Sequence, residues 1–269
     1  MLRGKTNSEI EILRKSSILV GKTIAEVAKH IKPGVTTIEL DKIAETYILD
    51  NGALPGFKGY RGFPGSLCIS INEVVVHGIP GKLEIKEGDL VSIDCGTIID
   101  GYYGDSAFSF GVEPISDEVR KLLQRTYNSL YKGIESAKYG NRVGDIGYSI
   151  QNYLSPFNYG IVRDLVGHGI GKNMHEKPEV PNYGRRGTGT KLYDGLVICI
   201  EPMITLGTSR IYIDSEDGWT IRTIDGSFSA HFEHAIAVKK EGTTILSDFT
   251  PIQEVKNDNI YIIKNIDNG

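Results

Sequence analysis

The hydrophobic positions of this chain change period several times, and each change marks an element. Over residues 8–31, Ile10, Leu13, Ser17, Val20, Ile24, Val27 and Ile31 recur every three or four positions, which stacks them on one helical face. Pro33-Gly34 stops that helix. Thr36 and Glu39 have capping-box spacing for a second helix. It buries Leu40, Ile43, Ala44, Tyr47 and Ile48 and ends at Asn51-Gly52. Strand-like runs follow at 67–76, 90–99 and 103–110. The order then starts again. Ser116-Asp117-Glu118 opens a helix carrying Val119, Leu122, Leu123, Thr126, Leu130 and Ile134 on one face. A shorter helix is expected near 145–154, and strand-like runs at 196–205, 219–224 and 229–239.

Both halves therefore read helix, helix, strands, and residue-level echoes support a duplication. Lys32-Pro33-Gly34 is matched by Lys138-Tyr139-Gly140, and Tyr47-Ile48 by Tyr153-Leu154. The run from Gly88 to Asp94 resembles the run from Gly195 to Glu201, each placing a carboxylate six residues after the glycine. Gly34 to Gly88 spans 54 residues and Gly140 to Gly195 spans 55. No Pro/Ser-rich linker divides the halves, so residues 1–269 are expected to form a single domain with an internal duplication over about 8–112 and 116–246. The repeat is too long for a solenoid unit. A duplicated fold tends to gather functional groups at its seam, where Asp94 and Glu201 are expected to meet.

Composition narrows the classes. The 269 residues are 40% hydrophobic and 24% charged, which excludes disorder, collagen and coiled coil. A net charge of −4 supplies no global positive field for nucleic acid or membrane. The opening residues 1–8 contain no apolar signal core, and no run approaches the ~18 residues of a membrane span. Cys68, Cys95 and Cys199 lie far apart and form no CxxC pair, so neither a disulfide framework nor a thiolate zinc site is expected. A reducing cytoplasm is the natural compartment.

The chemistry lies in carboxylates on core-like strands. Asp94 ends the run Leu90-Val91-Ser92-Ile93, and Asp105 follows eleven residues later, beyond the Asp100-Gly101 turn signal. Glu201 follows the apolar run Leu196-Val197-Ile198-Cys199-Ile200, and Glu233 sits in another core-like run. Any one of them alone reads equally well as an edge, a turn or an ion pair. Burying all four costs several kcal/mol each unless cations pair with them, and the strand runs hold too few basic residues.

Histidines sharpen the picture. His77-Gly78-Ile79-Pro80 precedes the first carboxylate pair. Gly167-His168-Gly169-Ile170-Gly171, continuing to His175-Glu176, precedes the second. Alternating glycines argue for a bent, closely approached backbone rather than a helix. The spacing fits neither phosphate-binding glycine motif, and His175-Glu176 lacks the second histidine of HExxH. His30 reads as a structural helix residue, and His231 and His234 as supports beside Glu233. One imidazole with four carboxylates makes an oxygen-rich site whose charge balances two divalent cations. Mn, Fe, Co and Zn all suit it. Two such ions support hydrolysis.

The ordered set His77, Asp94, Asp105, His168, His175, Glu201 and Glu233 resembles type I methionine aminopeptidase, of the pita-bread metallohydrolase family. The runs Cys68-Ile69-Ser70-Ile71-Asn72-Glu73, Val76-His77-Gly78-Ile79-Pro80, Ile200-Glu201-Pro202 and Phe232-Glu233-His234 fit its motifs over roughly residues 8–246. The resemblance implies an α+β pita-bread fold, with pseudo-twofold halves and a curved antiparallel sheet flanked by helices. It implies Asp94, Asp105, His168, Glu201 and Glu233 as ligands of two divalent ions, with Asp105 and Glu233 bridging. The attacking group is then a hydroxide between the ions. His175 would stabilise the developing oxyanion, His77 would contact the scissile amide nitrogen, and Glu201 would shuttle the proton.

The same resemblance maps a methionine pocket onto Phe57, Tyr60, Phe63, Cys68, Met174 and Trp219. Phe57 stands where a cysteine is often found and Met174 where phenylalanine is common. A monovalent cation is implied near Asn72 and Ser229. The implied task is removal of the initiator methionine from nascent chains whose second residue is small. Implied with it are transient ribosome association, a monomeric state, and no contact with DNA or membrane. Only 32 residues separate Glu201 from Glu233, too few for the helical insertion of type II enzymes. Prolidases share the ligands but carry a large N-terminal domain. With no zinc-binding extension before the catalytic residues, the bacterial form is expected. Two rivals remain: a pita-bread binding protein that has lost ligands, and a peptidase of this fold with another N-terminal preference.

Overall fold

The structure, a computed structural model, describes residues 4–265; residues 1–3 and 266–269 lie outside the described residues. Helix α1 (Asn7–Ala28) starts one residue before the predicted point because Thr6 caps it. The Thr6 backbone N–H donates to Glu9 at 2.8 Å, and the Glu9 N–H donates back to the Thr6 hydroxyl at 3.2 Å. It ends three residues before Ile31, which is nonetheless fully buried in the core. Helix α2 (Thr37–Asp50) begins at the predicted capping box. Its buried Asp41 accepts hydrogen bonds from the N–H groups of Ser66 and Leu67, both at 2.8 Å. That pins the start of the strand Leu67–Ile71 against the helix.

Three predicted strands are each divided in two. Run 67–76 becomes Leu67–Ile71 and Val74–Val76, because Asn72 turns the chain at φ 57°. Its side-chain amide donates to Asp89 at 2.8 Å and accepts from the Leu90 N–H at 2.9 Å, fixing that corner. Run 196–205 becomes Leu196–Ile200 and Met203–Thr205, since Pro202 has no N–H for the ladder. Run 229–239 becomes Ser229–His231 and Glu233–Val238. The central hairpin needs no such correction. Leu90–Ile99 pairs with Tyr102–Val112 around Asp100 (φ 49°) and Gly101 (φ 76°), a turn of the kind that favours this pair of residues. Strand Ile221–Thr223 is shorter than its predicted run and leaves Trp219 in the preceding turn.

Among the described residues every strand pair is antiparallel, and ten strands form one main sheet. Its spine runs Leu54–Pro55, Leu90–Ile99, Tyr102–Val112, Glu233–Val238, Leu196–Ile200, Gly167–Gly169 and Glu176–Val180. The halves of the chain meet where Tyr102–Val112 pairs with Glu233–Val238, with Ala107 opposite Glu233. Two serines fasten this seam from one side: Ser106 donates to the Glu233 carbonyl at 2.6 Å and Ser109 to the His231 carbonyl at 2.7 Å.

Helices cover the sheet. Helix α1 crosses so closely that a Cβ on Gly104 would stand 2.4 Å from the backbone of Ser16. Ser16 and Thr97 exchange hydrogen bonds at that crossing. Helices α3 (Asp117–Ser136) and α4 (Val143–Leu154) cover the second half, and Ile150 and Ile200 meet over Gly133. Phe108, Tyr127, Phe232 and Phe249 interlock edge to face at the centre of the core, Phe108 lying 5.0 Å from Phe232. No helix among the described residues is long and apolar enough to cross a membrane.

Candidate active site

Strand register alone gathers four predicted residues. On the central strand, Ala107 pairs with Asp94 on one side and Glu233 on the other. Asp105 lies two residues along the same strand and so shares a face with Ala107. The small Ala107 side chain leaves the space above it to three carboxylates. Glu201 follows the last residue of Leu196–Ile200, which pairs with Glu233–Val238. His168 enters from Gly167–Gly169, a short strand on the far side of Leu196–Ile200. A Cβ on Gly167 would stand 2.3 Å from the Cys199 carbonyl oxygen, so glycine is needed to bring His168 in.

Both glutamates sit where the chain changes sheets. Leu196–Ile200 belongs to the main sheet, but Met203–Thr205 pairs with Ser229–His231 in a separate three-stranded one. The chain crosses between sheets at Glu201-Pro202 on the way out and at Phe232-Glu233 on the way back.

The donors converge. Single ligand atoms of Asp105, His168, Cys199 and Glu233 all lie within 4.8 Å of one another, and so do those of Glu201, His231 and Glu233. His168 Nε2 is 3.7 Å from Asp105 Oδ2 and 3.6 Å from Glu201 Oε1, and His231 Nε2 is 3.6 Å from Glu201 Oε2. Asp94 Oδ1, Asp105 Oδ1, Glu233 Oε1 and His231 Nε2 are buried without a hydrogen-bond partner. Each such orphan costs about 1–3 kcal/mol, more when charged. Burial pushes Asp94 and Glu201 up to about 7. Burial, followed by repulsion from neighbouring carboxylates, pushes Asp105 and Glu233 well above the usual range. Anionic oxygens crowded together in this way fit divalent cations, which supply the missing partners and reverse the penalty. One imidazole among hard oxygens suits the borderline transition metals.

Above this floor opens a cavity of about 320 Å³. All thirteen residues predicted for catalysis, metal or substrate line it: Phe57, Tyr60, Phe63, Cys68, His77, Asp94, Asp105, His168, Met174, His175, Glu201, Trp219 and Glu233. Phe57, Phe63, Cys68 and Met174 form a buried apolar cluster, with Tyr60 and Trp219 packed against it. Trp219 stands edge-on to Phe63 at 5.2 Å and to His77 at 6.2 Å. Phe57 fills the space beside Gly96, where a Cβ would stand 2.6 Å from its ring.

Burial favours the neutral form of both His77 and His175. Burial, then His231, pushes His77 down to about 4. His77 also holds φ 59°, a left-handed turn directly after Val74–Val76. Burial, then His77 and Arg61, lowers His175. The His175 ring lies 4.3 Å from that of His168, and its Nδ1 is 3.0 Å from the Tyr60 hydroxyl.

The histidines beside Glu233 separate. His231 faces the carboxylates. His234 points to the opposite side, where it meets Tyr131 at 3.1 Å and Ser247 at 2.7 Å and stacks on Phe249 at 3.7 Å. Strand alternation sends neighbours to opposite faces, so His234 supports the core rather than the site. His30 is exposed, 3.7 Å from Glu26. Asn72 and Ser229 are adjacent, the Ser229 N–H donating to the Asn72 carbonyl at 2.8 Å. Sequence reasoning missed Cys199 among the donors and Arg61 at the rim. The alternation within residues 196–201, which puts Cys199 on the same face as Glu201, was the available signal for the first.

A metal-dependent hydrolase is the class that this sheet and this floor define. The chain belongs to metallopeptidase family M24, whose model matches residues 11–240. Within it the chain is 52% identical to the methionine aminopeptidase of Clostridium acetobutylicum over 244 residues, 90% of this chain and 97% of that protein. It is 48% identical to methionine aminopeptidase 1 of Bacillus subtilis over 247 residues, covering 92% and 99%. The crystal structure of methionine aminopeptidase from Rickettsia prowazekii superposes with a TM-score of 0.90 at 42% identity, covering 92% of this chain and all of that one. The prolidase from Pyrococcus horikoshii shares the fold, with a TM-score of 0.74 at 24% identity, and this chain covers only 63% of it. The pita-bread expectation is borne out.

Proposed function

We propose that this chain removes the initiator methionine from nascent polypeptides whose second residue is small. The observation that carries this reading is the pairing of an anionic floor, rich in unpartnered oxygens, with an apolar cluster of aromatic and sulfur side chains. Asp94, Asp105, His168, Glu201 and Glu233 would hold two divalent cations, drawn from Mn, Fe, Co and Zn. That Glu233 belongs to both donor groups supports the assignment. When bound, such a pair makes water nucleophilic at neutral pH and offsets charge on a peptide oxygen.

The side chains do the rest. The aromatic walls and the soft Met174 and Cys68 sulfurs bind methionine and exclude water. His175 donates to the scissile carbonyl as negative charge develops there. His77, held neutral, contacts the amide nitrogen. Glu201 takes the proton of the attacking water and delivers it to the leaving amine. The ligands and His77 crowd the position after the cut bond, which limits the second residue to small side chains. The left-handed corner at Asn72, against Ser229, would take a monovalent cation.

We further read the whole chain as one catalytic domain, acting as a monomer in the cytoplasm on N-termini close to the ribosome, without DNA or membrane. Three free, buried cysteines suit a reducing compartment. Methionine release from Met-Ala, Met-Gly, Met-Ser, Met-Leu and Met-Lys peptides tests the central claim. The first three should be good substrates and the last two poor. Equal rates for Met-Leu and Met-Ala would refute the second-residue rule.

A further inference from the structure

We propose that Tyr60 is a positioning residue whose hydroxyl donates to Nδ1 of His175 and thereby holds the imidazole in the tautomer that carries its proton on Nε2. The inference rests on the reading of His175 as the donor to the developing oxyanion. A neutral imidazole has one donor nitrogen and one acceptor. The bond made at one nitrogen decides which role the other plays. With Nδ1 unprotonated, Nε2–H is available to the carbonyl. In the other tautomer His175 would present a lone pair to growing negative charge.

Three observations converge on Tyr60. Its hydroxyl lies 3.0 Å from His175 Nδ1 and the rings are 5.5 Å apart, a geometry in which the hydroxyl meets the nitrogen edge. His175 Nε2 has no hydrogen-bond partner among the described residues, and both side chains line the same cavity. The segment that presents Tyr60 is held in a costly shape. Gly59, Arg61 and Gly62 have φ of 83°, 47° and 89°, so a non-glycine residue sits between two glycines in the left-handed region. Such strain persists only where the surrounding structure enforces it, and it gathers at functional sites. Here the Tyr60 N–H donates to Phe57 and the Gly59 N–H to Phe63, tying the loop to the pocket wall at 2.9 and 2.8 Å.

The test is Y60F, which keeps the aromatic wall and removes only the hydroxyl. In the zinc-loaded enzyme with ¹⁵N-labelled histidine, long-range proton–nitrogen spectra should show His175 protonated at Nε2 and accepting at Nδ1. In Y60F the tautomers should mix. The kcat on Met-Ala should fall roughly five- to tenfold, with KM within about twofold and metal content unchanged. In an H175A background, Y60F should add no further loss. Protonation of Nδ1 in the wild type, or a Y60F enzyme with wild-type kcat and tautomer, overturns the proposal. The two readings separate cleanly. If H175A alone loses activity and Y60F does not, only the task of Tyr60 falls. If H175A keeps wild-type kcat, the role of His175 falls and that of Tyr60 with it.

Discussion

The floor and the rim of the cavity are built by opposite means. All five floor donors stand on, or directly after, strands of one sheet, where ladder register sets their spacing. The rim residues Tyr60, Trp219 and His77 come from turns, and the backbone at Arg61 and His77 is left-handed. The floor is intrinsically unfavourable, with buried oxygens lacking partners; the rim is an ordinary apolar cluster. A rigid sheet can hold repelling groups together until cations arrive, and loops can reshape a pocket without disturbing them. Holding metal and recognising methionine are therefore separable in this molecule.

The largest effects that test this contrast lie in the floor. Asp94→Ala and Glu233→Ala should each abolish metal-dependent hydrolysis and lower metal content measured by elemental analysis, as should chelation of the wild type. Restoring metal at about 100 times its dissociation constant should stabilise the chelated protein by about 2.7 kcal/mol, read as a rise in Tm. Full activity in excess chelator would overturn the metal assignment.

Between floor and rim, His175→Ala should lower kcat by about 10²–10³ while metal content stays near wild type. Loss of metal instead would make His175 a ligand. Among the pocket side chains, Met174→Ala should reduce kcat/KM on Met-Ala by about tenfold, since a missing hydrophobic contact contributes about 1–3 kcal/mol. Its metal affinity, measured by titration calorimetry, should not move. If it does, floor and rim are coupled after all.

The smallest expected signal concerns pH. Burial lowers His77 to about 4 from its ordinary value near 6.5, so the folded state favours the neutral ring. Stability from this preference is fully present above pH 6.5 and is lost as pH falls through about 4. Over pH 6–9 the imidazole therefore stays neutral. His77→Ala should lower kcat/KM by a factor that is constant across that range. A ratio that changes near pH 6.5 would show that His77 titrates as if exposed.

Much of this was legible in residue order. The helix starts at Thr36 and Ser116, and the turn at Asp100-Gly101, follow from local capping and turn chemistry and appear as read. The break within residues 229–239 was not legible, because nothing local to Phe232 says that the chain changes sheets there. Pro202 did carry such a signal, and it marks the break after Glu201. His231 and His234 looked equivalent beside Glu233, and only strand alternation against two different layers divides them. Cys199 read as one more apolar strand residue until His168 was placed across from it.

The sequence by itself displayed the carboxylates and histidines of the floor, their oxygen-rich character, the duplicated order of elements and most amino acids of the pocket. These depend on residue type and on short-range period, which a linear chain displays. Tertiary structure decided which donors face one another, that Ala107 leaves room between Asp94 and Glu233, and that the Tyr60 hydroxyl reaches Nδ1 of His175. Those contacts join residues more than 100 positions apart, or depend on a pairing register in which a one-residue slip would turn every side chain to the other face. Register is set by the burial of whole faces at once, and no local run of residues carries that information.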